Sequence, residues 1–296
     1  EKFNSLLKKE MFGIVLTAHP TFGMTYEIML KLAKLATDHN KNGKKIDDAE
    51  LKLIIKEIFK TEQKPEKNIS LDFEHNLSIV SLKNLQLSLK SFYKIIISVT
   101  KQIYPSDYRN IKPTIFKLHT WVGYDVDGRG DISWSNTFSK RLKVKIEQLK
   151  LYLASIENIL KSSKNISVNK ILNSLRRQIF NAVKINEKVY LSISDKNFLN
   201  NLPEIKKISN TLHDNTERLV TNSNLIIKTL EKSIEILDLS TSTKDKKTLD
   251  DLLLLKIEVS NFGLGLGRTQ VRLNANQLNN AISKEIDLKG DPDDPS

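Results

Sequence analysis

Apolar residues recur at intervals of three and four over most of the chain, the period of a helix with one buried face. The stretch 26–37 carries Ile28, Leu30, Leu32, Ala33 and Leu35, and 49–60 carries Leu51, Leu53, Ile54, Ile55, Ile58 and Phe59. A longer pattern over 77–103 carries Leu85, Leu87, Leu89 and Phe92. Further amphipathic stretches run over 135–162, 167–191, 203–238 and 247–260. Polar breaks rich in Gly, Pro, Ser or Lys fall at 40–45, 61–70, 200–203 and 240–247, and these predict loops. There is no fixed-period repeat.

Three short segments have a different rhythm. Residues 13–17 form a continuous apolar run, which predicts a strand buried on both faces, as in a parallel sheet. Residues 116–122 alternate: Phe116, Leu118, Thr120 and Val122 lie on one side, with Lys117, His119 and Trp121 on the other. Residues 268–274 alternate too, placing Thr269, Val271 and Leu273 opposite Arg268, Gln270, Arg272 and Asn274. The expected fold class is mainly α with a few short parallel strands. Each strand runs into a polar loop or carries a polar face. In parallel sheets and barrels, chemistry gathers just beyond the strand C-termini.

Composition narrows the classes. With 296 residues and 39% apolar content, the chain is long enough and apolar enough to bury a core. The 10 Gly and 7 Pro are too few for a turn-rich sandwich. No cysteine is present, which excludes disulfides and thiolate zinc sites. No apolar run reaches the roughly 18 residues of a membrane span, and no signal peptide is visible. The expected location is the cytoplasm, with no membrane partner. The chain opens at Glu1 and closes on Asp-Pro-Asp-Asp-Pro-Ser, so a piece of something longer is expected.

The net charge of +12 comes from 39 Lys and 8 Arg against 35 acids. A basic chain invites a nucleic-acid reading. Here the lysines are spread along helices beside glutamates, and Lys, Asn and Ile are abundant together, as in the output of an AT-rich genome. Nucleic acid is therefore not an expected partner. Arg binds carboxylate and phosphate with a planar fork, so the few arginines of a lysine-rich chain merit scrutiny.

Three constellations could carry chemistry. His19 directly follows the first strand and precedes Pro20, which biases it toward extended geometry and displays its imidazole at a strand end. A histidine there can exchange protons near neutral pH, or can simply bond a backbone carbonyl. The others, His39, His75, His119 and His213, form no metal-ligand spacing. The loop Trp121-Val122-Gly123-Tyr124-Asp125-Val126-Asp127-Gly128-Arg129-Gly130-Asp131 concentrates aspartates and glycines. Counted from Asp125, Gly130 takes the sixth position of a calcium loop, but Asn136 stands at the twelfth, where that loop needs a glutamate. It could equally be a tight turn whose aspartates cap backbone N–H groups. Phe262-Gly263-Leu264-Gly265-Leu266-Gly267-Arg268 lacks dinucleotide-binding spacing and precedes a strand. Arg268 and Arg272 fall on one face, roughly 13 Å apart at about 3.3 Å per residue. That is too wide to clamp one phosphate together. Either one binds an anion while the other pairs with an acid, or both make structural salt bridges.

Taken together, the three segments resemble phosphoenolpyruvate carboxylase. Val15-Leu16-Thr17-Ala18-His19-Pro20-Thr21 is similar to that family's V-L-T-A-H-P-T segment, and the Trp121 to Gly128 loop resembles its W-M-G-G-D-R-D-G-N-P loop. Phe262-Gly263, Val271-Arg272-Leu273 and Gln277 resemble its F-G-x-x-L-V-R-x-D-x-R-Q segment, and the order is the same. The resemblance implies a helix-elaborated β/α barrel, of which residues 1–296 would be a single helix-rich N-terminal portion. It implies conversion of phosphoenolpyruvate and bicarbonate to oxaloacetate and phosphate, an anaplerotic carbon fixation feeding the tricarboxylic acid cycle. It makes His19 the acceptor of the carboxyphosphate proton and Arg272 the holder of substrate phosphate. Thr21, Asp125, Asp127, Gly128, Arg129, Arg268 and Gln277 would bind substrate or shape the site. It also implies Mg²⁺ or Mn²⁺, with ligands and a mobile Gly/Arg-rich loop further along than this chain extends, and a homo-oligomer when complete.

The sequence departs from the pattern at several places. Val126 stands where the loop arginine belongs, Arg129-Gly130 replaces Asn-Pro, and Asn274 and Asn276 replace an acid and a second arginine. The competing expectation is a non-catalytic helical relative that binds an anionic metabolite or a protein partner.

Overall fold

Leu252, Leu253, Leu254 and Leu255 are all buried, so the helix that carries them has almost no solvent face. The computed structural model describes residues 2–17, 24–40, 43–62, 69–126, 132–195, 198–214, 218–239, 242–272 and 275–285. Among these residues the helices are α1 (Lys2–Leu7), α2 (Tyr26–Thr37), α3 (Asp48–Lys60), α4 (Leu71–Ile103), α5 (Trp134–Ser162), α6 (Ile166–Ile193), α7 (Leu202–Asp214), α8 (Asn224–Asp238), α9 (Thr243–Phe262) and α10 (Ala275–Glu285). The strands are β1 (Phe12–Leu16), β2 (Phe116–Thr120) and β3 (Arg268–Thr269). The chain is thus mainly helical with three short strands, all parallel, in the order β1-β2-β3. None of the described helices is long and apolar enough to cross a membrane.

The chain divides into two compact units, Glu1–Leu16 with His75–Ser296, and Thr17–Glu74. In the second, α2 and α3 pack together and bury Ile28 and Ile54. Thr25 and Asp47 cap their N-termini by accepting from the backbone N–H groups of Ile28 and Glu50. Lys31 on α2 pairs with Glu27 at 2.7 Å and Glu57 at 3.4 Å.

In the first unit, α9 packs against α8 and α5, α5 runs beside α6, and α6 also meets α8. Leu82 and Tyr93 of α4, Leu149 and Ile156 of α5, Leu172 and Ile179 of α6, and Leu230 of α8 join the same core. Ser133 and Asn165 cap α5 and α6. The sheet lies on this bundle through Leu118, which is buried in the shared core. The glycine segment after α9 makes the join. Gly267 sits so close to β2 that a Cβ there would lie 2.9 Å from the Leu118 carbonyl oxygen. Gln86 on α4 fixes the same segment, its Nε2 donating to the Leu266 carbonyl at 2.9 Å and to Gln148 Oε1 at 2.7 Å. The Tyr152 hydroxyl donates to the Gly263 carbonyl at 2.8 Å.

Several expectations need correction. The first strand is parallel, but it is not buried on both faces: Phe12 is 56% exposed and Val15 46%. It is an edge strand among the described residues. The stretch 203–238 is two helices, α7 and α8. Leu219 and Val220 turn into the core between them, and Val220 takes a left-handed φ of 51° that a helix cannot continue through. The alternation over 268–274 yields only a two-residue strand, because β2 ends at Thr120 and turns away. The loop expected over 240–247 is shorter, since α9 starts at Thr243 with Lys246 N–H already bonded to the Ser242 carbonyl. The short α1 and the exposed α10 carry too little buried apolar surface to show in the pattern.

Candidate active site

Parallel pairing puts the C-terminal ends of β1, β2 and β3 on one edge of the sheet. The chain leaves β1 at Leu16, whose carbonyl accepts from the Trp121 N–H at 3.3 Å. After β2 it makes a tight turn. Tyr124 N–H bonds the Trp121 carbonyl at 2.8 Å, and the Thr120 hydroxyl accepts from Val122 N–H at 3.1 Å. Gly123 occupies this turn with φ of 88°, and a Cβ there would collide with the Lys140 side chain at 2.6 Å. No other residue fits without displacing a buried lysine.

The turn delivers Asp125 to Arg272. Their backbones bridge in parallel: Val126 N–H donates to the Arg272 carbonyl at 3.0 Å and Arg272 N–H to the Tyr124 carbonyl at 3.3 Å. Arg272 Nη1 then donates to Asp125 Oδ2 at 3.2 Å. The guanidinium also lies over the Trp121 ring, 5.8 Å from its centroid. The Asp125 side chain is 9% exposed and that of Arg272 46%, so a buried acid holds a cation whose other side reaches solvent. The second carboxylate oxygen of Asp125, the Trp121 indole N–H and the Tyr124 hydroxyl are buried without a hydrogen-bond partner among the described residues. Burial pushes the Tyr124 hydroxyl well above its ordinary pKa, against a smaller opposing pull from Arg141, so it stays a protonated donor.

Arg268 and Gln270 of the polar face are also paired. Arg268 donates to Glu10 through Nη2 at 3.0 Å, and buried Lys117 meets the same carboxylate at 3.3 Å. Burial pushes the Glu10 carboxyl up, but the Lys117 and Arg268 cations outweigh it and hold it below the usual range. Gln270 Nε2 and His119 Nδ1 are 3.0 Å apart. On the opposite face, Arg141 Nη1 donates to Thr269 Oγ1 at 2.6 Å. The period-two reading therefore holds for the faces of Arg268, Thr269, Gln270 and Arg272, though not for the length of the strand, and Leu273 and Asn274 lie outside the described residues.

Of the residues singled out from sequence, Arg272 and Asp125 come together. Arg268 stands on the same face but is bound to Glu10. Gln277 lies on α10, and its side chain is not among those described. His19, Thr21, Asp127, Gly128 and Arg129 lie outside the described residues. Glu10 and Lys117 were missed. Glu10 is a single acid after two lysines, and nothing in its spacing marks it as the partner of a residue 258 positions away.

A divalent metal would need several oxygen ligands. Among the described residues no three His, Asp or Glu side chains converge, and Asp125 is turned onto Arg272. These residues do not fit a metal site.

A family model described as phosphoenolpyruvate carboxylase matches residues 1–290. The chain belongs to the phosphoenolpyruvate carboxylase family. A search of curated proteins found no match. The matched residues include both Asp125 and Arg272.

Proposed function

We propose that this chain supplies part of the active site of a phosphoenolpyruvate carboxylase, a carboxy-lyase joining phosphoenolpyruvate and bicarbonate to give oxaloacetate and phosphate. The observation that carries this reading is the Asp125–Arg272 clamp at the C-terminal edge of a parallel sheet. The sheet is read as a sector of the family's helix-elaborated barrel, the remainder coming from a C-terminal portion of the same protein. The complete protein is a cytoplasmic homo-oligomer in this reading.

In the reaction, a bicarbonate oxygen attacks phosphorus, and the bond from phosphorus to the enol oxygen breaks. Carboxyphosphate and the enolate of pyruvate result. His19 takes the carboxyphosphate proton, carboxyphosphate splits to CO₂ and phosphate, and the enolate carbon attacks CO₂. Arg272 holds the phosphoryl oxygens. Its guanidinium is fixed by Asp125 and Trp121 before substrate arrives, so little reorganisation is needed as negative charge develops. Arg268, bound by Glu10, shapes the wall beside it, and Thr21, Asp127, Gly128, Arg129 and Gln277 complete the site by their motif positions. A divalent Mg²⁺ or Mn²⁺ would be held by residues outside those described here and would supply Lewis-acid charge when bound.

The test is a malate dehydrogenase-coupled assay of oxaloacetate formation. Residues 1–296 alone give little or no turnover, and a form extended by the C-terminal portion turns over. In that form His19→Ala and Arg272→Ala each lower kcat by about 10²-fold or more. Full activity in His19→Ala removes its proposed role, and robust turnover by residues 1–296 refutes the divided site. An extended form that binds phosphoenolpyruvate yet makes no oxaloacetate replaces the enzyme with an anion-binding relative.

A further inference from the structure

Two lysines with little exposed side chain are closely held by acids. Lys31, 16% exposed, meets Glu27 at 2.7 Å, and Lys117, 10% exposed, meets Glu10 at 3.3 Å. Lys256 on α9 differs. Its side chain is 14% exposed, yet its acid, Glu231 of α8, stands 3.8 Å away, beyond hydrogen-bond reach. Both residues line a pocket of about 260 Å³ bounded by α8, α9 and the segment 111–114 that leads into β2. Ile111, Pro113, Ile227 and Ile257 make much of its wall apolar. Asn261 pins the segment in place by donating to the Pro113 carbonyl at 2.8 Å. Burial pushes the Lys256 ammonium below its ordinary pKa; Glu231 pulls the other way, and the Lys112 cation, also in the pocket wall, adds to the lowering.

We propose that Lys256 is a nucleophilic amine and that the pocket around it takes up a small uncharged aldehyde as an imine. A lysine is activated for this chemistry among apolar groups or beside another cation, where its neutral form is favoured, and Lys256 has both. The lone pair of neutral Nζ forms a bond to the carbonyl carbon, giving a carbinolamine. Both nitrogen protons then pass, by way of the Glu231 carboxylate, to the former carbonyl oxygen, which leaves as water. Amine and aldehyde become imine and water, with no net oxidation or reduction. Once protonated, the imine is a cation and keeps Glu231 as its counter-ion. Glu231 and Lys112 carry opposite charges, so with Lys256 neutral the pocket has no net charge to draw an ion. The apolar wall suits an alkyl chain instead. The volume lies below the roughly 300–1,000 Å³ of pockets for drug-sized ligands, so that chain is short. None of the residues lining the pocket belongs to the site at the sheet edge, so this inference is independent of the carboxylase reading.

The experiment is reductive trapping on the chain. Butanal, formaldehyde and glyoxylate are each offered with cyanoborohydride, whose hydride reduces an imine to a stable secondary amine, and peptide mass spectrometry follows each lysine with time. At neutral pH, butanal labels Lys256 about tenfold or more faster than exposed lysines such as Lys45 and Lys207. Glyoxylate, a charged aldehyde, shows no such preference. Ile227→Phe narrows the pocket, so it slows butanal labelling of Lys256 at least several-fold while leaving labelling by formaldehyde, which is far smaller, nearly unchanged. Circular dichroism melts verify that this variant folds, and the comparison among lysines of the parent chain needs no variant. The proposal is overturned if butanal labels Lys256 no faster than Lys45 and Lys207, if glyoxylate prefers Lys256 as strongly as butanal does, or if Ile227→Phe is labelled by butanal at the parent rate.

Discussion

Arg272 and Asp125 are joined through both backbone and side chain, across 147 residues of sequence. The parallel bridge sets the two Cα atoms in register, and the 3.2 Å contact from Nη1 to Oδ2 then follows from side-chain length. Asp125 is almost fully buried, so the pair is more than a surface contact of negligible worth.

Removing Arg272 leaves a buried carboxylate facing no cation. Arg272→Ala should therefore lower unfolding free energy by about 1–3 kcal/mol in urea denaturation. Adding Asp125→Asn to that variant should recover part of the loss, because the orphaned charge is gone. A double variant as unstable as the sum of the two single variants would mean that the pair is not coupled.

Two glycines of the sheet region should respond very differently to the same substitution. Gly267→Ala drives a methyl to within 2.9 Å of the Leu118 carbonyl oxygen, where only a shift of β2 or the glycine segment relieves it. A loss of about 1–3 kcal/mol is expected. Gly13→Ala in β1 meets nothing within 4 Å and should stay within about 0.5 kcal/mol of the parent. Equal melting temperatures for the two variants would contradict the close approach.

Glu10 and Glu258 should give opposite pH signatures. The Glu10 carboxyl titrates below its usual range, so its stabilising effect is present above the unfolded-state pKa and is lost as pH falls through the folded value. Glu10→Gln should remove that acid-side loss. Glu258 is buried in the helical core, and burial pushes its carboxyl up against the opposing pull of Lys90, 3.0 Å away. Its native form holds its proton longer, so its contribution is greatest below the unfolded pKa and declines as pH rises through the folded one. Melting temperatures from pH 4 to 8 should show Glu258→Gln gaining on the parent toward neutral pH. A gap that is constant with pH removes this account of Glu258.

The Tyr152 hydroxyl ties the core to the start of the glycine segment at Gly263. Tyr152→Phe leaves that carbonyl without its donor and should cost about 1 kcal/mol. Hydrogen exchange of the Gly265 and Gln270 amides, which lie beyond the tie, should quicken in the same variant. Unchanged exchange would place the anchoring on Gln86 alone.

Local pattern was enough to locate α2, α3, α5 and α6 to within a residue or two, because each buries one helical face and the three-four spacing records it. The start of β1, the turn at Gly123 and the polar face of residues 268–272 were readable for the same reason: each is set by neighbours a few positions away. The motif residues pointed to the family, and the matching family model agrees. The burial of β1 and the break at Val220 were not readable. An apolar strand has the same sequence whether or not a layer covers its second face, and a left-handed residue inside an amphipathic stretch leaves the spacing intact. Partner choice was hidden too. That Arg272 takes Asp125, Arg268 takes Glu10 and Arg109 takes Asp238 depends on strand register and helix packing. Those are set by contacts more than a hundred residues apart in the sheet and by the facing of two helices in the bundle, distances over which side-chain periodicity carries no information.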